Sequence, residues 1–443
     1  VQRHGLRHPA RLIPLAFLVI ILVGTGLLML PAARADGTAT PLLTALFTST
    51  SAVCVTGLVV VDTPHYWSTF GHVVIMSLFQ IGGFGIMAGA TLMGMLVAGR
   101  LNLGTRVAAQ AETRLGLGNV GGVVRIVLLT TFLVEASAAV VLTLRLYFGY
   151  DYSFGLAAWE GVFHAISAFN NAGFALWSSS LMDFASDAWV MIPVSLAVLL
   201  GGVGFPVLYE LRHKMFDYRR WSVHSKITVL GTGILALCGA LVLALYEWNN
   251  PATLAPMGLE GKLLSVLFGS ITARTAGFNS IDTGAMTIES QAATWALMFI
   301  GGGSASTAGG IKLTTFFLLG FAVWSEIRNE TDTIAFGRRI PNETLRLALT
   351  VVLMAMAVLS FGTLALLSVT DLPLHDVIFE SVSAVSTVGL STGITGQLPP
   401  AGQCIVIAMM FIGRVGSVTL ATGLALRARR RLYRYPEERP IVG

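Results

Sequence analysis

Eight long apolar stretches divide this chain, and between the members of each successive pair lies a segment too short to be another. The long stretches run approximately over 12–30, 69–98, 123–148, 187–211, 227–246, 292–325, 344–369 and 401–427. Crossing a bilayer core takes about 20 helical residues, so each can span. The short segments are Pro41–Cys54, Ala157–Asn170, Glu260–Ala273 and Leu374–Ser386. At ~1.5 Å rise per residue they reach only about 20 Å. A helix that enters lipid without crossing it must be buried in protein or line a water-filled path. The expected fold is an all-α polytopic membrane protein of four pseudosymmetric repeats, each a span, a short re-entrant helix and a second span. The repeats are bounded near 1–105, 106–220, 221–335 and 336–443.

Composition agrees. The 443 residues are 54% hydrophobic and 12% charged, against about 25% charged in a soluble domain. Arg3, Arg7 and Arg11 precede the first stretch, and Ala33-Arg34-Ala35 resembles a processing site. The stretch exceeds the roughly 7–15 residues of a signal core, so a retained span is expected. Cys54, Cys238 and Cys404 have no metal-type spacing and suggest no disulfide framework.

Most of the 28 lysines and arginines lie in the N-terminal tail, the connections near 99–125, 212–226 and 326–346, and the C-terminal tail. With eight spans these five regions share one side, which the positive-inside rule makes cytoplasmic. Asp36, Asp62, Asp151, Asp183, Asp187, Glu247, Asp282 and Asp371 fall on the other side. The basic balance reflects topology and calls for no nucleic-acid partner.

The four short segments end alike: LFTSTSAVCVTGL at Leu58, VFHAISAFNNAGF at Phe174, VLFGSITARTAGF at Phe278 and IFESVSAVSTVGL at Leu390. Each places one glycine (Gly57, Gly173, Gly277, Gly389) before Leu or Phe, near-regularly along the chain. A short helix pointing inward presents the negative end of its dipole to the centre. The extended stretch after it can aim carbonyls at an axis, and four such stretches can replace an ion's hydration shell. Glycine tolerates the backbone angles this needs. One central ion pore is expected, with its oxygens on Val55, Thr56 and Gly57; Asn171, Ala172 and Gly173; Thr275, Ala276 and Gly277; and Thr387, Val388 and Gly389. Asn171, standing where the others have Val or Thr, makes the second stretch the exception.

A second repeated feature follows each: IGGFG from Ile81, LGGVG from Leu200, IGGGS from Ile300 and IGRVG from Ile412. Its glycines permit close helix packing. Arg414 stands where the others have Gly83, Gly202 and Gly302, and a charge at membrane depth is a functional hypothesis by default. The third copy runs on as Gly301, Gly302, Gly303, Ser304, Ala305, Ser306, Thr307, Ala308, Gly309 and Gly310, then Lys312. Glycines at ~1 kcal/mol each relative to alanine disfavour helix there, so a loop obstructing the pore is expected. Its hydroxyls and carbonyls are candidate partners for Arg414.

These motifs, with the broken sixth span and the ending YPEERPIVG, resemble the Trk/Ktr/HKT superfamily of potassium transporters, most closely its KtrB-type membrane subunits. The resemblance covers nearly the whole chain. It implies potassium uptake through a selective, channel-like pore, gated by the third-repeat loop and the fourth-repeat arginine. It also implies a homodimer on a cytosolic, KtrA-like nucleotide-binding ring. In plant relatives a serine at the first filter glycine goes with sodium preference, so Gly57 favours potassium. The chain itself calls for no cofactor; potassium would be the transported ion and sodium a candidate activator.

Other residues carry weaker expectations. Arg274, just before the third filter, is expected to bond carbonyls or an outer carboxylate such as Asp282 or Asp376. Glu135 is expected in a buried polar pair rather than on a cation. His164, His224 and His375 lie on separate segments without the partners an enzyme would need, and the glycines from Gly83 to Gly89 lie inside an apolar span without a Walker pattern. The alternative function is a coupled secondary transporter of another cation or small solute, since broken helices and repeats suit such carriers.

Overall fold

The computed structural model describes residues 9–98, 120–215, 217–426 and 438. Arg3, Arg7, most of the 99–125 connection and nearly all of the C-terminal tail, including YPEERPIVG apart from Glu438, lie outside the described residues.

Among the described residues, regular structure is helical except for one two-residue antiparallel pair, Ile334–Ala335 with Arg338–Arg339. The order repeats. First come α1 (Pro9–Leu28), the short α2 (Leu42–Val53) and α3 (Thr69–Ala98). Then follow α4 (Val120–Gly149), the short α5 (Phe154–Asn170), and α6 (Ala188–Val203) with α7 (Phe205–Lys214). The third set is α8 (Val223–Glu247), the short α9 (Leu259–Thr272), and α10 (Ile288–Phe299) with α11 (Leu313–Ile327). The last is α12 (Asn342–Leu367), the short α13 (Leu374–Ser386) and α14 (Pro400–Leu426). The four short helices fall where the sequence puts them, to within three residues at either end.

The spans are less uniform than the sequence suggests. Among the described residues, four helices are long and apolar enough to cross a membrane alone, at Thr69–Met87, Arg125–Gly149, Val223–Glu247 and Asn342–Leu367. The pair α6 and α7 makes a fifth if counted as one span, but it bends by 102°. The 187–211 stretch, expected to be continuous, is therefore broken, and the sequence carries the reason. Gly204 adopts φ +95°, outside the helical region and open to glycine. Pro206, at the start of α7, lacks an N–H and suits a first helical turn. The expected sixth span is also two helices, α10 and α11, separated by residues 300–312.

Burial is inverted relative to a soluble protein. Phe132, Leu133 and Phe148 of α4 are more than two-thirds exposed, and α12 exposes Leu353, Phe361 and Leu364, as hydrocarbon-facing surfaces require. The short helices bury Ser and Thr instead: Ser49, Ser51, Ser167, Ser270 and Ser383 are inaccessible. Phe79 of α3 packs against the second repeat, edge-on to Phe163 of α5 at 5.6 Å and stacked on Phe174 at 6.1 Å. Asp187 links two long helices: it caps α6 through Trp189 N (2.9 Å) and accepts from Arg145 Nε (2.6 Å) and Tyr150 OH (2.9 Å). The three cysteines are free.

Candidate ion pathway

Three of the four short helices run into strands with the same backbone signature. Val55 (φ +56°), Asn171 (+57°) and Thr387 (+49°) are left-handed, the next residue is not, and the glycine after it has φ +93°, +70° and +98°. Positive φ is uncommon outside glycine, and such residues cost about 1–3 kcal/mol unless their surroundings fix them. The alternating sign turns successive carbonyls toward one side of the strand.

Hydrogen bonds to the parent helix hold this shape. Thr56 N donates to Ser51 O (2.8 Å), Ala172 N to Ser167 O (2.8 Å) and Val388 N to Ser383 O (2.9 Å). The same serines add their hydroxyls: Gly57 N and Gly389 N donate to Ser51 Oγ and Ser383 Oγ, each at 3.1 Å, and Ser167 Oγ donates to Phe174 O (2.8 Å).

The third strand is the irregular one, not the second. Thr275 has φ +111°, and Ala276 N donates to Thr272 O (2.9 Å), one residue out of step. Where the others carry Ser51, Ser167 and Ser383, the third repeat carries Ile271, with no hydroxyl. Thr272 takes over, donating to Phe278 O (2.9 Å). The difference at Asn171 is in its side chain alone.

The four glycines form a closed ring. A Cβ added to Gly57 would lie 2.5 Å from Ala172 O, and one on Gly173 would lie 2.8 Å from Ala276 O. One on Gly277 would meet Val388 O closer still, and one on Gly389 would meet Thr56 O closest of the four. Each would also lie 3.1–3.2 Å from the Cα of the next glycine in the cycle. Every glycine thus faces the carbonyl before its neighbour, and the fourth closes on the first. A cavity of about 280 Å³ opens on the side of the residues that follow the glycines, lined by all four glycines and by Leu58, Phe174, Asn279, Ser391 and Asp62.

The second glycine feature clamps the strands from outside. A Cβ on Gly82 would run into Val53 O, on Gly201 into Phe169 O and on Gly413 into Val385 O. These carbonyls stand at one register, four residues before the ring glycine. The contacts bear out close packing, made by the first glycine of each motif. The third repeat breaks the rule, because Gly301 faces Gly309 O instead.

That break is where residues 301–310 leave the helix. The ends of the loop are pinned by Gly301 N to Ile311 O (3.0 Å) and Leu313 N to Gly302 O (2.9 Å). Its middle lies against the second repeat: Gly303 N donates to Gly202 O (2.8 Å), Thr307 N to Gly201 O (3.2 Å), and Phe205 N to Ala305 O (3.3 Å). The bend at Gly204 thus receives the loop, and the first N–H of α7 finds its acceptor there. Gly309 lies against Ser386 O and Thr387 Oγ1. The loop touches the second and fourth strands on the side of the ring opposite the cavity.

The buried cations do not sit as expected. Arg414 is 3% exposed, and Nε, Nη1 and Nη2 have no hydrogen-bond partner among the described residues. It borders a space lined by Phe17, Gly85, Ile86 and Gly89, within electrostatic range of Lys312 and Cys54. The loop hydroxyls are committed elsewhere: Ser304 to Thr314 (3.1 Å), Ser306 to Gly303 O (2.6 Å) and Thr307 to Phe169 O (3.2 Å). Lys312 Nζ donates to Ala308 O (2.7 Å). Arg274, 6% exposed, pairs with neither Asp282 nor Asp376, and its Nε has no hydrogen-bond partner among the described residues; it lies beside Gly202, Val203 and Gly302. Glu135 is in a buried polar group, accepting from Gln80 Nε2 (3.1 Å) and Asn170 Nδ2 (3.2 Å), while Asn170 Nδ2 also bonds Gln80 Oε1. His164 is stacked on Trp177 and hydrogen-bonded to Glu160 O and Leu176 N, remote from His224 and His375 in sequence.

Sequence reasoning missed the serine braces and the seat of the loop. The braces were visible as a column of Ser51, Ser167 and Ser383 in the aligned repeats. The seat had only Gly204 and Pro206 as its signal.

Comparison with known proteins identifies the family. The family described as TrkH, cation transport protein, matches residues 5–429. The Ktr system potassium uptake protein B of Bacillus subtilis (strain 168) is 39% identical over 438 residues, covering 98% of this chain and 97% of that protein. The protein of the same name from Vibrio alginolyticus is 36% identical, covering 98% and 94%. The crystal structure of the potassium transporter TrkH from Vibrio parahaemolyticus superposes with a TM-score of 0.74 at 17% identity, over 94% of this chain and 85% of that one; at that identity the likeness speaks for the fold. The chain belongs to the TrkH family of cation transport proteins.

Proposed function

We propose that this chain carries potassium into the cell through the ring of Gly57, Gly173, Gly277 and Gly389. The observation that carries this reading is the closure of the ring, in which every glycine faces the carbonyl before its neighbour. Carbonyl oxygens so arranged replace a cation's hydration shell without a fixed charge to trap it. Relatives at 39% and 36% identity are named potassium uptake proteins, and Gly57 stands at the position where the resemblance implies potassium. The repeats bounded near 1–105, 106–220, 221–335 and 336–443 each supply one strand. In this reading the 280 Å³ cavity is the outer mouth, the basic connections and both termini are cytoplasmic, and residues 301–310 with Lys312 and Arg414 gate the pore. A homodimer, a separate cytosolic nucleotide-binding ring and sodium as an activator belong to the same reading, resting on the family and on the relatives' designation as parts of a Ktr system.

Growth of uptake-deficient cells at low potassium tests the transport. Restored growth supports it; no restoration with the protein present in the membrane sinks it. Arg414→Ala and deletion of 304–307 test the gate in the same cells. Faster, unregulated potassium flux supports the gate, and unchanged flux and regulation exclude it.

A further inference from the structure

Asn171 is the one side-chain amide in the four strands; Val55, Thr275 and Thr387 stand in its place elsewhere. Its Nδ2 donates to Thr307 Oγ1 at 2.9 Å, across 136 residues of sequence. Thr307 Oγ1 donates onward to Phe169 O at 3.2 Å, the carbonyl against which Gly201 packs. Thr307 N donates to Gly201 O at 3.2 Å. Three groups of the second repeat therefore converge on one residue of the loop. Asn171 and Thr307 are each 1% exposed, so the bond is shielded from water while the loop is in place. Contact with the fourth strand is different in kind. Gly309 packs on Thr387 Oγ1, but that hydroxyl has no hydrogen-bond partner among the described residues. The loop is bonded to the second strand and only packed on the fourth.

Asparagine also suits the backbone there. Residue 171 is left-handed at φ +57°, a region where Asn is enriched among non-glycine residues. One residue type meets both demands, the strand's backbone and a donor for the loop.

We propose that Asn171 is a positioning residue that latches the 301–310 loop to the second strand through Thr307, so that displacing the loop and relaxing that strand are one event. This rests on the reading of the loop as the gate. It assigns the departure of the second strand from its fellows to gating rather than to ion choice. The latch adds to the Gly201 and Gly202 carbonyl contacts, which are made by backbone N–H groups and which Val or Ser at 307 would keep.

The test is potassium flux through the purified full-length chain in liposomes without a regulatory protein, with the potassium-to-sodium ratio measured alongside. Asn171→Val borrows the residue of the first repeat, and Thr307→Val removes the hydroxyl at constant shape. Each is expected to raise basal flux about three- to tenfold, the range of one lost buried hydrogen bond. The double variant is expected to rise no further than the larger single effect, and Thr307→Ser to rise less than Thr307→Val. The potassium-to-sodium ratio of Thr307→Val is expected to match wild type. Should Asn171→Val fail to fold, Thr307→Val carries the test alone, because residue 307 has no left-handed backbone to disturb. Wild-type conduction with Thr307→Val at the wild-type level overturns the latch, as do single effects that multiply in the double variant. Absence of potassium flux in the wild type overturns the pore reading itself.

Discussion

Replacing Gly389 by Ala puts the ring under the heaviest load the four glycines allow. Two separable costs arise. The first is conformational: φ at Gly389 is +98°, and an L-residue forced into left-handed backbone costs roughly 1–2 kcal/mol. The second is steric. The new methyl would meet Thr56 O more closely than at any other ring position and would lie 3.1 Å from Gly57 Cα. Relief to van der Waals contact needs the Thr56 carbonyl to retreat by about 1 Å, and overpacking of this kind costs about 1–3 kcal/mol. Gly393 separates the two costs. Its φ of +95° matches, but nothing lies within 4 Å of an added Cβ. If only about 1.4 kcal/mol of the steric cost reaches the bound ion, ion binding weakens tenfold.

Rubidium uptake and potassium-to-sodium ratios in liposomes, read beside thermal unfolding in detergent, make the assay. Gly389→Ala is expected to lose at least about tenfold in potassium flux or selectivity, whereas Gly393→Ala loses a little stability and keeps both. Gly173→Ala is the mildest ring substitution, having the longest contact at 2.8 Å and the lowest φ at +70°. Wild-type selectivity and flux in Gly389→Ala would refute the reasoning. So would a larger loss in Gly173→Ala than in Gly389→Ala.

Three further outcomes follow from the packing. Gly413→Ala drives a methyl into Val385 O and should lower stability by about 1–3 kcal/mol in thermal unfolding, whereas Gly416→Ala, whose nearest atom is Ile412 Cγ2 at 3.7 Å, should not. Glu135→Ala removes an acceptor from both Gln80 and Asn170 and should cost about 1–3 kcal/mol, with Glu135→Gln in between. Asp187→Ala removes the α6 cap together with the bonds from Arg145 and Tyr150. A loss of about 2 kcal/mol is expected, read as a lower unfolding temperature; an unchanged temperature would mean that solvent replaces all three bonds.

The sequence by itself determined the periodic part of this protein. Apolar length distinguishes spans from short helices, because a bilayer fixes how many residues a crossing helix needs. The repeated glycine before Leu or Phe marks the ring, because few other residues take that backbone. The serine column, at constant spacing from Gly57, Gly173 and Gly389, was visible as a pattern, but only its hydrogen bonds in the fold gave it the role of a brace. Tertiary structure alone decided what the repeats do to one another. The seat of the 301–310 loop lies in another repeat, at a bend whose local signal was only Gly204 and Pro206. The third strand rather than the second is the irregular one, because Ile271 removes a hydroxyl whose partner is known only in the fold. Arg414 was expected among the loop hydroxyls, but each of those hydroxyls has a nearer acceptor or partner and the guanidinium lies beside α1 and α3. Local pattern fixes an element and its backbone, whereas a polar side chain's partner depends on which groups of distant segments arrive within about 3 Å of it.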